Sequence, residues 1–339
     1  MAAPANFGHA ETLNLGELLY TELYQQLQQR RAKLQQAAAH RQTARVVRLL
    51  EEVDAALNRM EDQTFGICEQ CHTAVEPDRL MADPLVRFCI GHLPPAEQQL
   101  LEDDLELAAR LQARLLPKQD LAVDGWRVAY HYKPAGLVSG DYVDLIAGPD
   151  NVLYFALGDV SGKGVAASLL MSNLNAMFRT LAPLGIPLDE IMCHANRVFC
   201  ESTLPTQYAT LVAGKATPDG AIELVNAGHP EPLIVSMDGV RKIDSGGLPI
   251  GLFRDEPLTS VNLRLDPGEV LVLYSDGISE SRNAHDQDYG AARLSEVVRR
   301  CTAQAPKDSV AACIADLIAF SGDAPAVDDQ TLMVLQRVE

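Results

Sequence analysis

Three short stretches of this 339-residue chain each set an acid at the end of an apolar run. Residues 152–157 are apolar on both alternating faces, as in a strand buried within a sheet, and lead into Gly158 and Asp159, with Gly162 and Gly164 just beyond. Residues 270–274 lead into Ser275-Asp276-Gly277, and Asp328-Asp329 immediately precede the strand-like run 331–335. Carboxylates delivered at strand tips can converge. Hard divalent cations such as Mg²⁺ and Mn²⁺ need such a set, because they take oxygen ligands and few other side chains supply charge. Taken alone, Asp276-Gly277 also has the composition of a hairpin turn.

A second constellation is chemically different. Cys68-Glu-Gln-Cys71 is followed, after seventeen residues, by Cys89-Ile-Gly-His92. This spacing places three thiolates and one imidazole where a tetrahedral Zn²⁺ takes them, in a closed structural site. His72, beside a ligand, reads as a solvated neighbour. The remaining cysteines, 193, 200, 301 and 313, sit in helix-like apolar surroundings, which is consistent with a reducing compartment.

These residues must be positioned by a mixed set of elements. Tyr20, Leu23, Leu27, Arg30, Leu34 and Ala37 repeat at three-four spacing, as do Val46, Leu50, Val53, Leu57 and Met60, which predicts an antiparallel helical hairpin, either an amphipathic bundle or a short coiled coil. Pro94 and Pro95 interrupt the chain, and a linker helix is expected over 96–116, stopped by Pro117. Strands are expected at 127–132, 152–157, 208–216, 221–225, 232–236, 261–265, 270–274 and 331–335, and helices at 166–181, 188–201, 291–302 and 309–320. Short turns such as Pro218-Asp219-Gly220 join consecutive strands without a βαβ rhythm, so the expected class is α+β, with antiparallel sheets packed face to face and helices outside. The expected domains are a hairpin with its zinc finger at 1–93, a linker helix at 94–121 and a larger domain at 122–339.

The formal net charge of −18 is uneven, with −3 on residues 1–93 and −15 on the rest. That balance disfavours binding to nucleic acid or an anionic membrane by the larger part. No apolar run approaches a membrane span and no signal peptide precedes the first periodic segment, so a cytoplasmic protein is expected.

Residues 11–93 resemble the DksA/TraR-type zinc finger proteins, through the helical hairpin, Phe65-Gly66-Ile67-Cys68 and Arg79-Leu80 ahead of Cys89-Ile90. Such fingers usually end in a fourth cysteine, where this chain has His92. In that family acids at the hairpin tip act in an RNA polymerase channel, whereas residues 37–44 here contain no acid. Polymerase contact is therefore weakly supported.

The larger part carries, in order, Val138-Ser-Gly-Asp141, Gly158-Asp-Val-Ser-Gly-Lys-Gly164, Asn226-Ala-Gly-His229, Gly247-Leu-Pro-Ile-Gly251, Tyr274-Ser-Asp-Gly277 and Asp328-Asp-Gln-Thr331. This ordered set resembles the bacterial metal-dependent serine/threonine phosphatases of the sporulation protein E and sigma-regulator class, a branch of the PPM (type 2C) family. The resemblance implies a two-sheet sandwich flanked by helices. It implies two Mn²⁺ or Mg²⁺ ions, with Asp159 bridging them and the Val160 carbonyl on one. Asp276 and Asp328 would serve the first ion, with Asp329 as an alternative to Asp328, and Asp141 would lie near the second. The implied substrate is phosphoserine or phosphothreonine on a small anti-sigma-factor antagonist in a partner-switching circuit, and a helix in the linker's place implies a homodimer. The alternative is a non-catalytic adaptor whose zinc-finger hairpin contacts the transcription machinery. Asp144, Lys163 and His229 read as structural or solvated residues.

Overall fold

The computed structural model describes residues 20, 23–32, 34–35, 44–76, 79–80, 83–203, 207–243, 246–255, 257–322, 326 and 328–338. The chain divides into two compact units, Met1–Leu101 and Glu102–Glu339.

In the first unit, residues 23–32 are helical and face helix α1, Ala44–Glu61. Leu23 and Leu27 pack with Val53, Leu57 and Met60, which the three-four stripes place on facing sides, and with Ala56. The same core runs on into Cys68, Val75, Leu80 and Cys89, so hairpin and finger share one apolar interior. The hairpin tip at 37–43 lies outside the described residues. Helix α2, Pro95–Leu115, begins with a proline, whose missing N–H costs nothing at a first helical position. It spans the boundary between the two units.

The second unit is built from eleven described strands: β1 Asp120–Val123, β2 Trp126–Lys133, β3 Asp141–Ala147, β4 Leu153–Val160, β5 Ala209–Ala216, β6 Ala221–Ala227, β7 Leu233–Ser236, β8 Gly239–Lys242, β9 Val261–Arg264, β10 Val270–Tyr274 and β11 Gln330–Arg337. They form two sheets, ordered β1-β2-β11-β10-β7-β8 and β3-β4-β5-β6-β9, in which every pairing of named strands is antiparallel. Helices α3, Gly164–Leu181, and α4, Leu188–Ser202, cover the five-stranded sheet. A single turn, α5 at Asp276–Ser279, is followed by α6, Gly290–Cys301, and α7, Pro306–Ser321, and the latter two cover the six-stranded sheet. The fold is thus α+β, a sandwich of two antiparallel sheets flanked by helices.

Both faces of the central strands are buried, which is why they read as unbroken apolar runs. Phe155 and Leu157 point into the layer between the sheets with Leu271, Leu273, Met333 and Leu335, while Tyr154 and Ala156 face the helices. Trp126, the only tryptophan of the chain, is fully buried between the sheets and makes a natural reporter of this unit's unfolding.

Strands β1, β3 and β8 escape the sequence pattern. The acids of β3 break its apolar run, and alternation sends them to opposite faces. Asp141 shares a face with Val143 and Leu145, which line the layer between the sheets, whereas Asp144 lies on the helix side with Tyr142. There the Asp144 carboxylate accepts two bonds from Arg179, at 2.7 and 3.1 Å, and others from Tyr142 Oη, Asn175 Nδ2 and the Leu145 N–H. Burial raises its pKa despite the guanidinium. Arg179→Ala is expected to destabilise this unit by about 2–3 kcal/mol, short of the ~3–5 kcal/mol of a fully buried pair because the arginine is half-exposed. The midpoint of urea unfolding followed by Trp126 fluorescence measures it.

Among the described residues no helix is long and apolar enough to cross a membrane.

Candidate active site and metal centre

The antiparallel registers bring the acids to one end of the sandwich. Asp141 and Asp159 are direct partners at the end of the β3–β4 ladder. Tyr274 pairs with Leu332, so Asp276, just past β10, and Asp328, just before β11, emerge at the same end of their own sheet. Asp276 does not sit in a hairpin turn. It opens α5 behind Ser275, and Gly277 lies so close to the next acid-bearing segment that a Cβ there would come within 1.9 Å of the Asp329 carbonyl oxygen. The two segments can meet this closely only because residue 277 has no side chain.

Hydrogen bonds join the two sheets at this end. Thr331 Oγ1 donates to Asp141 Oδ2. Asp329 Oδ1 accepts from the Ala135 N–H at 2.7 Å, and its Oδ2 accepts from Ser139 Oγ at 2.7 Å and from the Gly140 N–H at 2.9 Å. A Cβ on Gly140 would stand 2.9 Å from the Val160 carbonyl oxygen and 3.4 Å from Asp159 Oδ1, so this loop too depends on a missing side chain. Ser139 is in turn clamped by Gln112 of α2, whose Nε2 donates to the Ser139 carbonyl at 2.7 Å and whose Oε1 accepts from the Ser139 N–H at 3.0 Å.

The two neighbouring acids of the last motif therefore differ in role. Asp329 spends both oxygens on the 135–140 loop. Asp328 is half-exposed, with Oδ2 3.1 Å from Lys163 Nζ and Oδ1 accepting the Asp329 N–H.

Crowding of like charge is the electrostatic signature here. Burial, reinforced by the carboxylates of Asp276, Asp328 and Asp329 and only partly opposed by Lys163, pushes Asp159 up to about 7. Burial also carries Asp141 well above the carboxylate range, with Asp159 and Asp329 adding to it against the Thr331 hydrogen bond. Asp276 is raised by burial and then by Asp328. Such a set gains most from a bound cation, and all of its donors are the oxygens that hard cations take.

His229 cannot act as a charged acid near neutrality. Burial depresses it to about 3, and its Nδ1 is engaged with Thr210 Oγ1 at 2.9 Å. Lys163 lies beside Asp328 in an exposed pair, an arrangement that contributes little to stability.

Two of these positions, Gln112 and Thr331, and one role, that of Asp329, were not read from sequence. Gln112 is a buried amide on a leucine-rich helix, and no local pattern marks it. The loop-holding role of Asp329 depends on partners almost two hundred positions away. Thr331 was legible in principle, since alternation puts it on the same face as Met333 and Leu335, which point between the sheets.

In the first unit, Cys68, Cys71, Cys89 and His92 form the one group of metal-type ligands, among the described residues, whose donor atoms all lie within 4.8 Å of one another. Cys71 Sγ is 3.7 Å from Cys89 Sγ, close to the sulfur–sulfur edge of about 3.8 Å that a tetrahedron with Zn–S near 2.3 Å requires. His92 Nδ1 is 3.2 Å from Cys89 Sγ. Although burial acts against it, the backbone groups of Cys89, Cys71 and Gln70 and the Cys71 thiol draw Cys68 down to about 6, while Cys89 is raised by burial and by its two sulfur neighbours. His72 is exposed and is not part of the group.

The Stage II sporulation protein E (SpoIIE) family matches residues 149–338, and the prokaryotic DksA/TraR C4-type zinc finger matches residues 63–91, ending just before His92. The phosphoserine phosphatase RsbU of Bacillus subtilis is 26% identical over 188 residues, which cover 55% of this chain and 56% of RsbU. Protein IcfG of Synechocystis is 26% identical over 224 residues, covering 58% of this chain and 35% of IcfG. The chain thus spans about a third to just over half the length of these relatives. Among solved structures, the RsbU and RsbW domains of Rv1364c from Mycobacterium tuberculosis align with a TM-score of 0.57 at 26% identity, over 66% of this chain and 61% of that one.

Proposed function

Because the chain belongs to the SpoIIE family, we propose that its second unit is a metal-dependent phosphoprotein phosphatase acting on phosphoserine or phosphothreonine. The observation that carries this reading is the convergence of Asp141, Asp159, Asp276 and Asp328 at one end of the sandwich. The named likeness to a phosphoserine phosphatase supports it. By the same resemblance the substrate is a small anti-sigma-factor antagonist in a cytoplasmic partner-switching pathway. Four mutually repelling acids serve no purpose in a mere adaptor, which argues against the non-catalytic alternative.

Asp159, between the other acids, would be shared by two Mn²⁺ or Mg²⁺ ions, with the Val160 carbonyl, Asp276, Asp328 and Asp141 completing the protein's donors. Bound there, such cations supply positive charge to the phosphoryl oxygens and acidify water. The protein's own part is orientation. Thr331 holds Asp141, and Asp329 holds the 135–140 loop beneath it. Lys163, at the mouth of the site, is placed to meet a phosphate oxygen when Asp328 turns to its ion. In the first unit, Cys68, Cys71, Cys89 and His92 would hold one structural Zn²⁺.

The domains are proposed as 1–93, 94–121 and 122–339. Leu101, Leu107 and Leu111 of α2 are exposed, and a second copy of the chain is the proposed partner for that helix.

Phosphate release from the phosphorylated antagonist, with Mn²⁺, with Mg²⁺ and with chelator, tests the reading. Release that persists undiminished in chelator would refute it. Within the same assay, Asp328→Asn is expected to raise the Mn²⁺ requirement at least about tenfold with little change in stability, since its side chain is half-exposed. Asp329→Ala is expected to lose about 1–3 kcal/mol of stability as well, because it strands the donors of Ala135, Ser139 and Gly140. Equal behaviour of the two variants would contradict the division of roles.

A further inference from the structure

A cavity of about 560 Å³ opens beside the acids and is lined by both Asp276 and Asp328. From there it extends along the C-terminal turns of α7, where Leu317, Ile318 and Ser321 line it. Ile318 is 62% exposed, whereas Leu317 is buried in the core. Ser321 Oγ is buried yet has no hydrogen-bond partner among the described residues. Two cationic residues, Lys133 at the end of β2 and Arg282 beyond α5, and a third acid, Glu280, also line the cavity. Arg282 is held by Asp286 at 2.9 Å and Asp288 at 3.1 Å. Lys133 is exposed and is therefore the cavity's available cation among the described residues.

This lining exceeds what a phosphoryl group needs. A phosphate engages charge and hydrogen bonds alone, and the space here is several side chains larger. An exposed apolar side chain, a buried hydroxyl and an exposed lysine, continuous with the proposed hydrolytic centre, match a stretch of polypeptide. Charge narrows the choice further. Lys133 is the point along the cleft where an acidic side chain meets opposite charge, whereas the stretch lined by Asp276, Glu280 and Asp328 repels one.

We propose that this cleft seats the polypeptide flanking the phosphorylated residue of the substrate protein. An apolar side chain packs on Ile318, a polar group answers Ser321 Oγ, and an acidic side chain meets Lys133. The inference rests on the phosphatase reading and adds to it where substrate selection occurs.

The test uses the full chain with saturating Mn²⁺ and two substrates, the phosphoserine form of an anti-sigma-factor antagonist and p-nitrophenyl phosphate, which has no flanking polypeptide. The measured quantity is the ratio of kcat/KM for the phosphoprotein to that for the small ester. Ile318→Glu and Lys133→Glu are each expected to lower this ratio at least about tenfold, chiefly through KM for the phosphoprotein, while Ile318→Leu and Lys133→Arg retain it. An unchanged ratio in both charged variants overturns the cleft assignment and leaves the phosphatase reading standing. A wild-type chain that releases phosphate from neither substrate overturns that reading, and the cleft assignment with it.

Discussion

Asp159→Asn is expected to lower phosphate release by about three orders of magnitude or more, with the second unit still folded. The residue faces the layer between the sheets at the strand end where Asp141, Asp276 and Asp328 come together, so an amide there removes the carboxylate proposed to serve both ions. Folding should not suffer, because Asp159 is destabilised by its neighbours. Its carboxylate is held up at about 7 by burial and by three other acids, and a neutral amide of the same shape relieves that repulsion. In chelator, the thermal midpoint reported by Trp126 should therefore equal or exceed that of the wild type. Asp276→Asn should be nearly as damaging to turnover. Activity within tenfold of wild type in Asp159→Asn, at saturating Mn²⁺, would remove the basis of the proposed site.

Cys68→Ser or Cys89→Ser is expected to abolish stoichiometric zinc and unfold the first unit. Both cysteines belong to the same small core as Leu23, Leu27 and Leu57, so ligand loss and core loss coincide. Zinc bound by such a finger contributes on the order of 10 kcal/mol to folding, comparable with the whole stability of a small domain. Elemental analysis of protein purified without chelators should find one zinc per chain in the wild type and none in the variants. Helical circular dichroism should fall by the contribution of the hairpin, while the Trp126 transition of the second unit persists. Protein without zinc would overturn the finger's proposed metal. Full zinc occupancy in His92→Ala would move the fourth ligand elsewhere, and exposed His72 would be the first alternative.

What the linear chain determined by itself was the set of local periodicities and spacings. Unbroken apolar runs at 152–157, 270–274 and 332–335 reveal strands covered on both sides, and the three-four stripes of the hairpin reveal its packed faces. Two paired ligands separated by seventeen residues are close to a complete description of a tetrahedral site, because both knuckles are local. The acid-bearing strand tips were legible for the same reason, since each lies within a few residues of its own strand.

Tertiary structure alone decided the rest, because it depends on which distant segments meet. Whether Asp276-Gly277 turns a hairpin or opens a helix was settled by the Asp329 backbone packed against Gly277. Asp328 and Asp329 are adjacent and chemically identical, and only the arrival of the 135–140 loop commits Asp329 to hydrogen bonds and leaves Asp328 facing outward. Gln112 acquires its role from Ser139, and the cleft from three elements that share no sequence signal, the end of β2, the turn after β10 and the last turns of α7. A side chain's type and its neighbours in the chain set which interactions it can make, but burial, desolvation and the approach of like charges exist only once the sheets have closed on one another.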